Sequence, residues 1–222
     1  MVRESRSFVF QKHPIMTYTT DGLLGQLEEQ TEKLLVLATE NWQMLPPACF
    51  AAQPVPGSWS AAQCLEHLNG YGDYYLPLLT QAIRQAEAQK LFSKTFSPGM
   101  LGNYFTRLME PAADGRPAKK MKTFRKHDPL PDIDPDKAIA RFISQQETLL
   151  ALLESAKGLD LGRPCIPVSI APFLRLKTGD TFRFIVAHNR RHSAQAQRAL
   201  MMVGKVSPKL FIPAPKKSSV LR

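Results

Sequence analysis

Five histidines occur in this chain of 222 residues, and two of them, His188 and His192, stand four residues apart. That spacing puts both imidazoles on one face of a helix, one turn apart. Ile185, Ala196 and Ala199 share the face, which predicts that it points inward. Buried imidazoles need partners, because an unsatisfied polar group in an apolar interior is costly. A hydrogen-bonding neighbour is one solution and a shared metal ion is another. His67, between Cys64 and Tyr71 on a second apolar-flanked helical face, is the candidate third ligand. Three imidazoles at about 2.0–2.1 Å suit zinc and leave a position open for water or substrate. Nickel, cobalt, iron and manganese are compatible too, since geometry and supply decide occupancy. The HExxH pattern of zinc proteases is absent: Asn189, not a glutamate, follows His188.

Three further residues are candidates for the chemistry itself. Gln195 lies three residues beyond His192, near the same face, where it can orient an imidazole or a bound ligand. Glu66 is next to His67 but about 100° round the helix, which points it toward solvent rather than toward base duty. Tyr71 and Tyr75 fall on the ligand face, as core or as hydrogen-bonding partners of a substrate. Cys64, one turn before His67, reads as a buried inert thiol.

The elements that must position these residues are helical. Leu23, Leu27, Leu34, Ala38 and Trp42 predict a first helix over 23–45, capped by Thr20 or Asp21 and stopped by Pro46-Pro47. The Pro-rich stretch to residue 58 reads as irregular. Ser60-Ala61-Ala62-Gln63 is a capping box opening the second helix, with Trp59 as a candidate staple. Leu68, Tyr71, Tyr75, Leu78 and Ala82 continue it, and Pro77 predicts a kink or local irregularity. Residues 90–134 are the least regular region. A structureless loop that long is improbable, so 98–110 is expected to form a short helix burying Leu101, Tyr104, Phe105 and Leu108. The third helix is announced by Asp134 as cap, Pro135 and Asp136, carries Ile139, Phe142, Leu149 and Leu153, and is stopped by Gly158. An extended connection over 163–167 leads to the last helix, expected from about Asp180 to Gly204. Four long helices with a long crossover between the second and third predict an all-α fold, a four-helix bundle.

Composition narrows the function classes. Apolar residues make up 44% of the chain, enough for a continuous core. No apolar run approaches a membrane span, and the N-terminus lacks the apolar stretch of a secretory signal. Cys49, Cys64 and Cys165 are odd in number and widely spaced, which argues against a disulfide framework. A cytoplasmic location is expected, without membrane association. The net charge of +10 is compatible with nucleic acid, an anionic surface or an acidic small molecule. Lys119, Lys120, Lys122, Arg125 and Lys126 crowd one polar stretch, which reads either as solvated charge or as an anion site.

Three stretches together resemble the DinB-like superfamily of metal-dependent enzymes, which includes bacillithiol transferases and mycothiol-dependent isomerases. Trp59-Ser60 through His67-Leu68 is similar to the family's W-S-x-x-x-x-x-x-H-L entry to its second helix. His188-Asn189-Arg190-Arg191-His192-Ser193-Ala194-Gln195 is similar to its H-x-x-R-H-x-x-Q. Phe96 to Tyr104, with Lys120 to Phe124, looks like a subgroup insertion. The match covers about residues 20–205, leaving 1–19 as an N-terminal extension and 206–222 as a basic tail, with the basic insertion at 90–134. The resemblance implies an up-down-down-up bundle and a metal held by His67, His188 and His192. It also allows for a homodimer, and Met16 is a candidate alternative start.

Two function classes follow. In the first, a three-histidine site with zinc or nickel serves a hydrolase or a thiol transferase acting on a small molecule, with a low-molecular-weight thiol as a candidate cofactor. The lysines and Arg125 would then attract an anionic substrate or cofactor. In the second, the chain is a non-catalytic basic helical module for nucleic acid or a protein partner. Only Phe124 lies among the lysines and no nucleic-acid motif is present, which disfavours nucleic acid.

Overall fold

The computed structural model describes residues 17–111, 128–129 and 132–204. His13, His127, the basic cluster Lys119, Lys120, Lys122, Arg125 and Lys126, and the tail from 206 lie outside the described residues. What is described is mostly helical, with two small antiparallel strand pairs.

Strand β1 (Tyr18–Thr19) leads directly into helix α1 (Thr20–Val36). The helix starts earlier than its apolar stripe suggests, and neither Thr20 nor Asp21 caps it. Thr19 holds the cap position without a side-chain bond. The Thr20 hydroxyl instead donates to the Ser93 carbonyl at 2.8 Å, and Asp21 accepts from the Gly158 amide at 3.1 Å. Beyond Val36 the helix widens into a π turn over Leu37–Asn41 and tightens at Trp42–Met44. The expected stripe residues Leu23, Leu27, Leu34, Ala38 and Trp42 are all buried. A short helix α2 (Pro47–Ala51) occupies the stretch expected to be irregular and buries Phe50 against Trp42.

Helix α3 (Ala61–Ala88) begins at the capping box. Ser60 Oγ accepts from the Gln63 amide at 3.2 Å, and Gln63 Oε1 accepts from the Ser60 amide at 3.0 Å. It runs unbroken through Pro77. Both Pro77 and Asp73, whose carbonyl loses its amide partner, are exposed, which leaves that carbonyl on the solvent side of the helix. Strand β2 (Thr95–Phe96) pairs with β1, and helix α4 (Met100–Met109) follows. This is the helix expected in 98–110, but it buries Gly102 and Thr106, while Leu101, Phe105 and Leu108 are half-buried and Tyr104 is exposed. The Asp180 side chain fills the place where a Cβ on Gly102 would stand, and this close approach turns the small face inward.

Helix α5 (Pro135–Ser155) is capped by Asp134, whose carboxylate accepts from the Asp136 and Lys137 amides. Gly158, at φ 75°, takes the left-handed conformation that ends it. The expected extended connection is a hairpin: β3 (Cys165–Val168) pairs antiparallel with β4 (Ala171–Lys177). Helix α6 (Thr178–Met202) then runs to its end at Gly204.

Helix α1 packs on α5 and α6, and α3 packs on the same two helices, while α4 covers a further side of α6. Two apolar clusters result. One contains Leu27, Tyr75, Leu79, Leu149, Leu153 and Val186; the other contains Leu34, Leu65, Leu68, Phe142, Ala196 and Leu200. On every long helix the junction between them is polar and buried: Thr31 on α1, His67 and Asn69 on α3, Gln146 on α5, and His188, Asn189 and His192 on α6. A polar belt thus crosses the middle of the core.

The capping box is the local signal that starts the helix carrying His67. Ser60→Ala should lower stability by about 1 kcal/mol in urea unfolding. An unchanged midpoint would mean that packing alone fixes the start of α3.

Candidate metal centre

His67, His188 and His192 converge in the polar belt. Each offers a ring nitrogen, and these atoms all lie within 4.8 Å of one another. His67 Nε2 and His188 Nε2 are 3.2 Å apart. All three side chains are buried, at 5%, 3% and 9% exposure. The helical spacing brings His188 and His192 together, with ring centroids 4.7 Å apart, and the packing of α3 on α6 adds His67.

The rings are held from several sides. Phe184, one turn before His188, stacks nearly parallel to it at 5.6 Å. Tyr71 lies 4.4 Å from His188 and 5.0 Å from His67. Trp59 packs 5.1 Å from His67 and 5.9 Å from His192. His192 Nδ1 is 3.0 Å from Gln195 Oε1. An amide oxygen can only accept, so Nδ1 carries the proton and the other ring nitrogen keeps its lone pair. Burial holds His192 well below its ordinary pKa, and the His67 and Arg191 charges push the same way, against the Gln195 bond.

The three imidazoles form one end of a cavity of about 90 Å³. A single water needs roughly 10–15 Å³, so the space admits a small organic molecule. Its walls are Phe105, Leu108 and Met109 of α4, Val168, Ile170 and Leu176 of the hairpin, and Phe184. The polar lining beyond the histidines is Tyr71, Tyr75, Ser169 and Arg191. Tyr75 Oη accepts from the Ser169 amide at 3.0 Å, tying the hairpin to α3. Burial pushes the Tyr71 phenol up to about 12, and the neighbouring Tyr75 adds to that; burial also raises Tyr75. Both hydroxyls therefore keep their protons at neutral pH.

The other expected residues separate cleanly. Gln195 sits on an imidazole, as its spacing suggests. Glu66 turns to α5, where Arg141 Nη1 donates to its Oε1 at 3.0 Å, so the structure does not bring it to the cavity. Cys64 is fully buried, and burial pushes its thiol up to about 12, consistent with an inert packing role. Trp59 faces the imidazoles. Sequence reasoning missed Phe184, Ser169 and Arg191 as lining residues. Phe184 had a signal, its i, i+4 spacing to His188; Ser169 had none without the hairpin.

This arrangement matches one further finding. A family model described as the DinB superfamily matches residues 26–196, most of the chain. The chain belongs to the DinB superfamily. Comparison with curated proteins and with solved structures gives no significant match. The DinB-superfamily match includes His67, His188 and His192, and these three buried histidines could hold a metal ion.

The depressed His192 pKa sets a pH dependence in metal-free protein. The unfolded chain takes up a proton at His192 near 6.5, and the folded chain does not. Stability should therefore fall as pH drops below that value, by up to ~1.4 kcal/mol per pH unit for one such group. Denaturant unfolding of chelator-treated protein at about pH 7.5 and about pH 5.5 checks this. His192→Gln should flatten the slope; an unchanged slope in that variant would show that another group controls it.

Proposed function

We propose that this DinB-superfamily chain is a metal-dependent enzyme acting on a small molecule, with one divalent ion held by His67, His188 and His192. The convergence of three buried imidazoles at one end of an apolar cavity carries the reading. The donor set fits such an ion. Ligand atoms at about 2.0–2.1 Å in a tetrahedron lie about 3.3 Å from each other, and His67 Nε2 and His188 Nε2 are 3.2 Å apart. Gln195 supports it by holding the His192 proton on Nδ1. Zinc and nickel are among the ions that imidazole ligation suits.

When bound, an ion of this kind lowers the pKa of a bound water or thiol and polarises a carbonyl. The chain's own residues do the rest. The cavity walls are largely apolar, and Tyr71, whose hydroxyl keeps its proton, lies beside His67 and His188 where a substrate would sit. Glu66 is engaged with Arg141 and takes no part. Among the described residues lining the cavity there is no carboxylate. A hydrolase that must shuttle a proton from water is less well served by this lining than a transferase whose thiol arrives ready to ionise. Thiol transfer, with a low-molecular-weight thiol as co-substrate, is therefore the reading we favour over hydrolysis.

The bundle reading is supported in the same way. The two apolar clusters follow one order along α1 and α6 and the opposite order along α3 and α5. The Thr20 amide donates to the Lys94 carbonyl beyond α3, Asp21 receives Gly158 beyond α5, and the Gly179 amide donates to the Leu161 carbonyl. Both observations favour the up-down-down-up order, with α3 and α5 parallel.

Elemental mass spectrometry of untagged protein tests the proposal. Wild type should carry about one zinc or nickel ion per chain, and His67→Ala and His192→Ala should carry none. Wild type that stays metal-free after exposure to both ions would overturn it.

A further inference from the structure

The cavity beside the imidazoles also presents a cation. Arg191 lines it, although its neighbour His192 lies about 100° away round α6. Helix α4 explains the placement. Arg191 Nη1 donates to the Leu108 carbonyl at 3.1 Å, which fixes the guanidinium against the cavity wall, and the residue is only 8% exposed. Apart from the imidazoles it is the one charged group among the described lining residues. The surfaces around it, Phe105 and Met109 of α4, Val168 and Leu176 of the hairpin, and Phe184, are apolar.

We propose that Arg191 anchors the carboxylate of a small amphipathic acid whose apolar part lies against α4 and the hairpin, beside the three histidines. This rests on the reading that the cavity is the substrate site. Guanidinium stays charged inside proteins and matches a carboxylate with a planar fork of N–H donors. A charge-assisted pair of that kind is stronger beside apolar surfaces such as these than in bulk water. The Leu108 bond gives the anchor a fixed position, so the acid's chain is oriented as well as attracted.

Calorimetric titration of the full chain with hexanoate and with uncharged hexanamide tests the anchor. Wild type should bind the acid roughly 10- to 100-fold more tightly than the amide. In Arg191→Gln the preference should fall to within about threefold, with circular dichroism and metal content unchanged. A preference that survives in Arg191→Gln would place the carboxylate elsewhere, including on the metal, and overturn the proposal. Equal affinities in wild type, or no binding of either probe at millimolar concentration, would overturn it without any variant. A preference for acid in wild type that takes up no metal would support the anchor while the metal reading fails.

Discussion

A helix buried on every side cannot leave its polar side chains to water, and α6 is buried at every position from Thr178 to Ala194. Within that stretch it carries Asp180, Arg183, two histidines, Asn189, Arg190 and Arg191. Each unsatisfied polar group there would cost about 1–3 kcal/mol, more if charged. The surrounding elements are arranged around that demand. Asp180 accepts from the Gly99 amide and from Arg183, whose other nitrogen reaches Asn103, so α4 is bound to α6 through polar contacts. Asn189 donates to Gln146 of α5, Arg190 to Gln30 of α1, and Arg191 to Leu108. His67, His188 and His192 face one another across the gap between α6 and α3, where the polar belt meets the cavity, and together could hold a cation.

The same constraint explains how a simple helical fold acquires a pocket. Two apolar clusters above and below the belt hold the helices at fixed spacing, so the belt is a rigid floor rather than a flexible groove. The hairpin and α4 supply the walls and are fastened to the scaffold at specific points: Tyr75 to Ser169, Thr178 to the Pro164 carbonyl at 2.7 Å, and Lys177 to the Ser97 carbonyl at 2.8 Å. The histidines thus stand on long helices, while much of the cavity lining comes from α4 and the hairpin.

Much of this was legible in the residues, and the parts that were not have physical reasons. The capping box at Ser60, the Asp134 cap and the HxxxH pair are local signals whose geometry is set by one element, and each is found where expected. Residues 163–167 read as an extended connection, and the pairing of β3 with β4 went unseen, although Ile166 and Val168 alternate inward, as strand residues do. Helix α4 was foreseen but rotated: apolar content pointed Tyr104 inward, whereas Gly102 and Thr106 face α6 because Asp180 needs a close backbone. Arg191 stands in the H-x-x-R-H stretch, but its place on the cavity depends on α4, which covers that side of α6. No periodicity in a single helix discloses which third element will cover it.

X-ray absorption at the zinc edge of zinc-loaded protein examines the centre directly. The account predicts a shell of nitrogen and oxygen at about 2.0–2.1 Å, with multiple scattering from three imidazole rings and one further light ligand. A sulfur neighbour, or scattering from fewer than three rings, would contradict it.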